Sequence, residues 1–124
     1  MITTGVDLVH IPRVVAALER HGKRFIERVF TPREVAAGHG LPHELAARFA
    51  AKEAVAKALG VGMRVMARDG VGFLEVETLR DLRGKPVVVL SGRAAARAQE
   101  LGLSEWAVSL SHEREYAIAF VVAQ

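Results

Sequence analysis

The chain has 124 residues, of which 51% are hydrophobic and 25% charged, with 17 basic against 14 acidic side chains. That balance suits one globular domain over residues 1–124 with a single core and excludes a disordered chain. With no cysteine, disulfide frameworks, thiolate metal sites and cysteine nucleophiles are excluded too, so any chemistry must use Asp, Glu, His, Lys, Ser or a hard metal. The basic excess, a net charge of +3, points to an anionic partner without naming it. The sequence has no apolar run of the roughly 18 residues a membrane span needs. Its start lacks a basic region followed by a long apolar stretch. The expectation is a soluble cytoplasmic protein that uses no membrane.

Ile2 to Val9 reads as a strand in which Val6 and Leu8 point one way and Gly5, Asp7 and Val9 the other. Asp7 interrupts this apolar strand. It reads either as a cap for the helix that starts near Pro12, or as a carboxylate fixed on a rigid strand for a metal or phosphate site. From Pro12 to about His21, Val14, Val15 and Leu18 oppose Arg13, Glu19 and Arg20, an amphipathic helix followed by Gly22 and the basic Lys23, Arg24 and Arg28. This surface is either a solvated face or a dock for an acidic partner. Thr31-Pro32-Arg33-Glu34 has the form of a capping box, which opens a short helix closed by Gly38 and Gly40.

Pro42 to Leu59 predicts the central helix, stopped at Gly60-Val61-Gly62. Its stretch Ala46 to Leu59 is apolar nearly all round and therefore buried, with Glu53 held among alanines and Lys57 one turn further along the same stripe. A carboxylate in such surroundings needs a cation. The alternative is an ordinary Glu53 to Lys57 pair on a solvated face. Residues 63 to 70 are expected to form a mobile loop near a ligand.

Phe73 to Leu79 and Pro86 to Leu90 read as strands joined by a hairpin turn at residues 80–85, where Gly84-Lys85-Pro86 is either a simple turn or a backbone and ammonium brought to a phosphate. Ser91 is placed to cap a helix reaching Leu101 and ended by Gly102. In the last hairpin Trp106, Val108, Leu110 and His112 alternate with Ala107, Ser109 and Ser111. Glu113-Arg114-Glu115 then turns into an almost wholly apolar strand, Tyr116 to Ala123, which belongs inside a sheet. His112, at its strand's end, reads as structural, solvated or a ligand contact.

Gly5-Val6-Asp7, Phe49-Ala-Ala-Lys52-Glu53-Ala-Val-Ala-Lys57 preceded by Arg48, Gly84-Lys85-Pro86 and Ser109-Leu110-Ser111-His112 occur in this order over essentially the whole chain. Together they resemble the 4'-phosphopantetheinyl transferases of the small holo-[acyl-carrier-protein] synthase type. The resemblance implies transfer of phosphopantetheine from coenzyme A to a serine of apo acyl carrier protein, with release of adenosine 3',5'-bisphosphate, in the service of fatty acid biosynthesis and lipid metabolism. It implies Asp7 and Glu53 as magnesium ligands, Lys57, Lys52 and Arg48 around the coenzyme A phosphates, Ser111 and His112 beside the nucleotide, and Arg13, Arg20 and Arg24 as the surface for the acidic carrier. Gly84, Lys85 and Pro86 would adjoin the coenzyme, and Glu53 and Lys57 would carry the chemistry. The serine's base stays open between Glu53, a metal-bound water, a carboxylate of the partner and His112. The family also implies a homotrimer with sites between subunits and an α+β fold, a mostly antiparallel sheet packed on the long central helix.

Magnesium suits this reading physically, because it takes one or two carboxylates and fills its remaining positions with water and phosphate oxygen. The competing class is a module that binds RNA or a nucleotide without catalysis. One Trp, one Tyr and five Phe, mostly on apolar-patterned segments, give it no stacking platform, so no nucleic-acid partner is expected.

Overall fold

A computed structural model describes residues 1–63 and 70–124. The loop expected over residues 63 to 70 therefore falls, except at its two ends, outside the described residues. The elements in chain order are β1 (Thr3–His10), α1 (Ile11–His21), α2 (Lys23–Val29), α3 (Pro32–Ala37), α4 (Pro42–Ala58), β2 (Val76–Arg80), β3 (Pro86–Leu90), α5 (Gly92–Glu100), β4 (Trp106–Glu113) and β5 (Tyr116–Ala123).

Helix α4 is the centre of the molecule, with eleven of its seventeen residues buried, as its apolar circumference predicts. It lies across a three-stranded antiparallel sheet ordered β1-β5-β4. The facing surfaces are small on both sides. Ala50, Ala51, Ala54 and Ala58 of α4 belong to the same core as Ala119, Val121 and Ala123 of β5. Gly5 in β1 permits the closest approach, since a Cβ there would stand 1.9 Å from the Ala54 carbonyl oxygen.

The apolar last strand is the middle strand, as expected, pairing β1 on one side and β4 on the other. Its inward residues, Ala117, Ala119, Val121 and Ala123, are buried. Its outward residues Ile118 and Phe120 are not, and with Val6 and Leu8 across the β1 pairing they form an open apolar face. Strands β2 and β3 make a separate two-stranded sheet beside β4.

The structure corrects several boundaries. The basic stretch after Gly22 is a helix of its own, α2, because Gly22 at φ 53° breaks the chain's direction and lets it restart. Phe73–Glu75 is a 3₁₀ turn rather than the start of a strand, and its Glu75 bonds back to the Gly72 amide. Ser91 occupies the expected cap position of α5 without a side-chain cap bond, and the Glu75 carboxylate instead accepts from the Arg93 amide. The Thr31 and Glu34 capping box forms as read. Asp7 caps nothing, since it lies mid-strand and α1 starts from His10.

Candidate functional site

Asp7 and Glu53 meet where β1 crosses α4. Strand alternation turns Gly5 and Asp7 toward the helix, and the missing Gly5 side chain brings the Asp7 carboxylate close to Glu53. Lys57, one helical turn beyond Glu53, donates to the Val6 carbonyl at 2.8 Å and to Asp7 Oδ1 at 3.2 Å. The alternative of a Glu53 to Lys57 surface pair is thus not what forms: the Lys57 bond crosses from helix to strand. Burial pushes the Glu53 carboxyl above its ordinary range, and the nearby Asp7 charge adds to this while Lys57 opposes it. Two carboxylates sharing one lysine leave negative charge in excess.

These carboxylates open on a cleft of about 410 Å³ lined by Asp7, Glu53, Arg13, His10, Phe25 and Phe49 among others. An adjoining groove of about 420 Å³ shares Ala17, Phe25 and Phe49 with it and continues past His21, Arg24, Arg28 and Phe73. Arg13 and Arg24 therefore lie along one continuous depression, whereas Arg20 is exposed on α1 outside its lining. Arg28 was already legible in the sequence as part of this basic surface, whereas His21 and Phe25 were not singled out for it. The signal that would have found Phe25 was a helix in α2, whose turn places Phe25 and Arg28 on one side.

The other predicted residues form a second cluster. Arg48, Pro86, Ser111 and His112 line a pocket of about 210 Å³ with Glu44 and Arg80. Arg48 is fully buried. Its Nε donates to the Thr78 carbonyl at 2.9 Å and its Nη1 to Glu44 Oε2 at 3.0 Å, while its Nη2 has no partner among the described residues. Glu44 also accepts from Arg80. Burial raises the Glu44 carboxyl's proton affinity, but Arg48 and Arg80 outweigh burial and hold it below its ordinary range. His112 is exposed at the end of β4 and lies 4.5 Å, ring to ring, from His43. Gly84 and Lys85 form the adjoining turn, where the Asp81 carboxylate accepts from the Lys85 amide and Arg80 donates to the Gly84 carbonyl.

The two clusters do not meet within one chain. Five residues separate Arg48 from Glu53 on α4, a rotation of about 140°, and nine separate Arg48 from Lys57, about half a turn. The helix therefore presents them on different sides.

Lys52 requires a correction. It was expected beside a phosphate, yet it is fully buried, with its Nζ bonded to Glu34 Oε1 at 2.6 Å, the Phe73 carbonyl at 2.8 Å and the Val76 carbonyl at 2.5 Å. An ammonium has three donors, and all are used inside the protein.

The two carboxylates fit a magnesium ion, which needs few protein ligands when phosphate oxygens complete its shell. No group of three or more potential ligand side chains occurs among the described residues, so a site requiring a full protein cage is not present among them. Nor is any helix of the described residues long and apolar enough to cross a membrane.

A family model described as the 4'-phosphopantetheinyl transferase superfamily matches residues 3–121. The chain is 48% identical to a holo-[acyl-carrier-protein] synthase of Herpetosiphon aurantiacus, over 98% of each. Among solved structures it resembles holo-[acyl-carrier-protein] synthase from Neisseria meningitidis, with a TM-score of 0.86 and 35% identity over 100% of this chain and 99% of the other. It also resembles the Helicobacter pylori holo-[acyl-carrier-protein] synthase in complex with coenzyme A, with a TM-score of 0.85 and 30% identity over 100% of both.

Proposed function

Since the chain belongs to the 4'-phosphopantetheinyl transferase superfamily, in its holo-[acyl-carrier-protein] synthase type, we propose that it moves phosphopantetheine from coenzyme A to a serine of apo acyl carrier protein, with magnesium, for fatty acid biosynthesis in the cytoplasm. The observation that carries this reading is the meeting of Asp7, Glu53 and Lys57 where β1 crosses α4.

In this reading the serine oxygen bonds to the phosphorus that carries the pantetheine arm. The anhydride bond on its far side breaks, and adenosine 3',5'-bisphosphate leaves with the electron pair. Such a transfer depends mainly on positioning and on neutralising charge. Asp7 and Glu53 would hold the ion, which when bound supplies positive charge to the pyrophosphate. Lys57, exposed enough to turn its ammonium away from Asp7, would reach the same phosphates. Of this chain's own carboxylates, Glu53, whose proton affinity is raised by burial, would take the serine proton. Arg13, Arg20 and Arg24 would steer the acidic carrier, an attraction that salt weakens.

The second cluster becomes part of the same site if chains assemble. Arg48, Ser111, His112 and Pro86 of one copy would then hold the nucleotide end of a coenzyme A whose pyrophosphate lies at Asp7 and Glu53 of the next. Two observations support a homotrimer built this way: the clusters face different sides of α4, and Val6, Leu8, Ile118 and Phe120 leave an apolar sheet face open.

The test is intact mass of an apo acyl carrier protein after incubation with this chain, coenzyme A and magnesium. We expect a gain of about 340 Da, one phosphopantetheine arm, that is lost with Asp7→Ala or Glu53→Ala. No gain with any carrier, or a gain independent of both carboxylates, would overturn the reading.

A further inference from the structure

Lys52 and Glu34 are both fully buried, and the transfer chemistry uses neither. Both oxygens of Glu34 are engaged: its Oε1 accepts from Lys52 and from the Thr31 amide, and its Oε2 from the Thr78 amide at 3.1 Å. Lys52 in turn holds the carbonyls of Phe73 and Val76. The pair therefore ties the start of α3, the first residues of β2 and the 3₁₀ turn to the middle of α4. Removing charge from water in this way is costly, and fixing one arrangement of neighbouring groups is a use such pairs can serve.

What the pair fixes lines the groove. With its carbonyl held by Lys52, Phe73 sets its ring 5.6 Å from that of Phe49, and the interplanar angle is 30°. Both rings face the depression whose rim carries His21, Arg24 and Arg28 and which runs on to the Asp7 and Glu53 cleft through Phe49 and Phe25. An apolar wall under a basic rim suits an acidic protein with apolar contacts better than it suits a free nucleotide.

We propose that Lys52 and Glu34 are positioning residues for carrier recognition: by fixing the Phe73 carbonyl they set the Phe73 and Phe49 wall against which the acidic carrier seats beside Arg24 and Arg28. This rests on the carrier reading above, so the experiment has one readout that needs no activity.

That readout is ¹⁹F NMR of the chain labelled at its five phenylalanines with fluorophenylalanine. The Phe73 signal is assigned by its loss in Phe73→Ala. In Glu34→Asp, which keeps the charge and shortens the reach, the Phe73 signal is expected to move and broaden. An unmoved signal in a folded Glu34→Asp protein would overturn the proposal, whatever the enzyme does. The kinetic arm uses Phe73→Ala, the charge-free pair Glu34→Gln with Lys52→Met, and all three changes together. Carrier KM is expected to rise about fivefold in the first two and no further in the triple variant, with coenzyme A KM within about twofold of the parent, because groups acting through one another are not additive. Three kinetic results would overturn it: an unchanged carrier KM in Phe73→Ala, effects that multiply in the triple variant, or a coenzyme A KM that rises in step with that of the carrier. If the charge-free pair fails to fold, Glu34→Asp with Phe73→Ala completes the same cycle.

Discussion

Glu77 shows how a single side chain ties the capping segment to the β2 and β3 sheet. Its carboxylate accepts from Arg33 Nη2 at 2.6 Å and from the Thr31 hydroxyl at 2.5 Å. The Arg33 hydrogen bond is the main cause that holds its proton affinity below the ordinary carboxylate range, and it prevails over burial, which acts the other way. A carboxylate whose folded proton affinity is lowered adds stability above its unfolded pKa, about 4.3, and loses it as pH falls through the folded value. Arg33→Met is therefore expected to lower the melting temperature at pH 7, with the gap from the parent closing as the pH falls below about 4. Thermal unfolding followed by circular dichroism at both pH values checks this, and a gap that widens in acid would contradict it. Of such links the sequence showed only the local one, the capping box. The partners of Glu77 lie 44 and 46 residues away, and spacing along a chain cannot reveal them.

At the scale of elements, the crossing of β1 and α4 decides where the carboxylates stand. Alternation along β1 and the apolar circumference of α4 were both legible, and so were Asp7 and Glu53 as candidates. The role of Gly5 was not, because it depends on a backbone oxygen from the middle of another element, 1.9 Å from where a Cβ would sit. Gly5→Ala must push β1 off the helix, at a cost of about 3 kcal/mol. Asp7, two residues on, moves with the strand. The expected outcome is a melting temperature several degrees lower, and a transfer rate reduced more than the folded fraction at the assay temperature explains. Chemical denaturation and transfer kinetics on one sample measure both. An unchanged rate in the folded protein would show that the Asp7 position does not depend on this contact. Lys52 teaches the opposite lesson. Its place in a motif suggested a phosphate, but its position on α4 points it at Glu34 and two carbonyls instead.

For the whole molecule, the proposed trimer makes a prediction that no single chain can satisfy. If Asp7 of one copy and Arg48 of another share a site, a mixture of Asp7→Ala and Arg48→Ala proteins, each inactive, regains activity after subunits exchange, because some interfaces then carry both intact halves. A mixture that stays inactive while light scattering reports trimers would place both clusters' work within one chain. Phe120→Glu, on the open apolar face, is expected to shift the scattering mass toward the monomer's 13.4 kDa.

The sequence alone determined the central helix, the middle place of the apolar last strand and the pairing of a strand aspartate with a helix glutamate. Each of these follows from periodicity or from residues close in the chain, apart from the pairing, which came from a family resemblance. Only the tertiary structure decided that Lys52 is internal, that α2 and Phe73 complete the groove, that Arg48 and Glu53 face different ways, and that one face of the main sheet stays open. Those outcomes depend on contacts between elements far apart in sequence and on the angle at which one helix meets one sheet. A pattern of residue types fixes which face is apolar, but the packing of the whole chain fixes what that face meets.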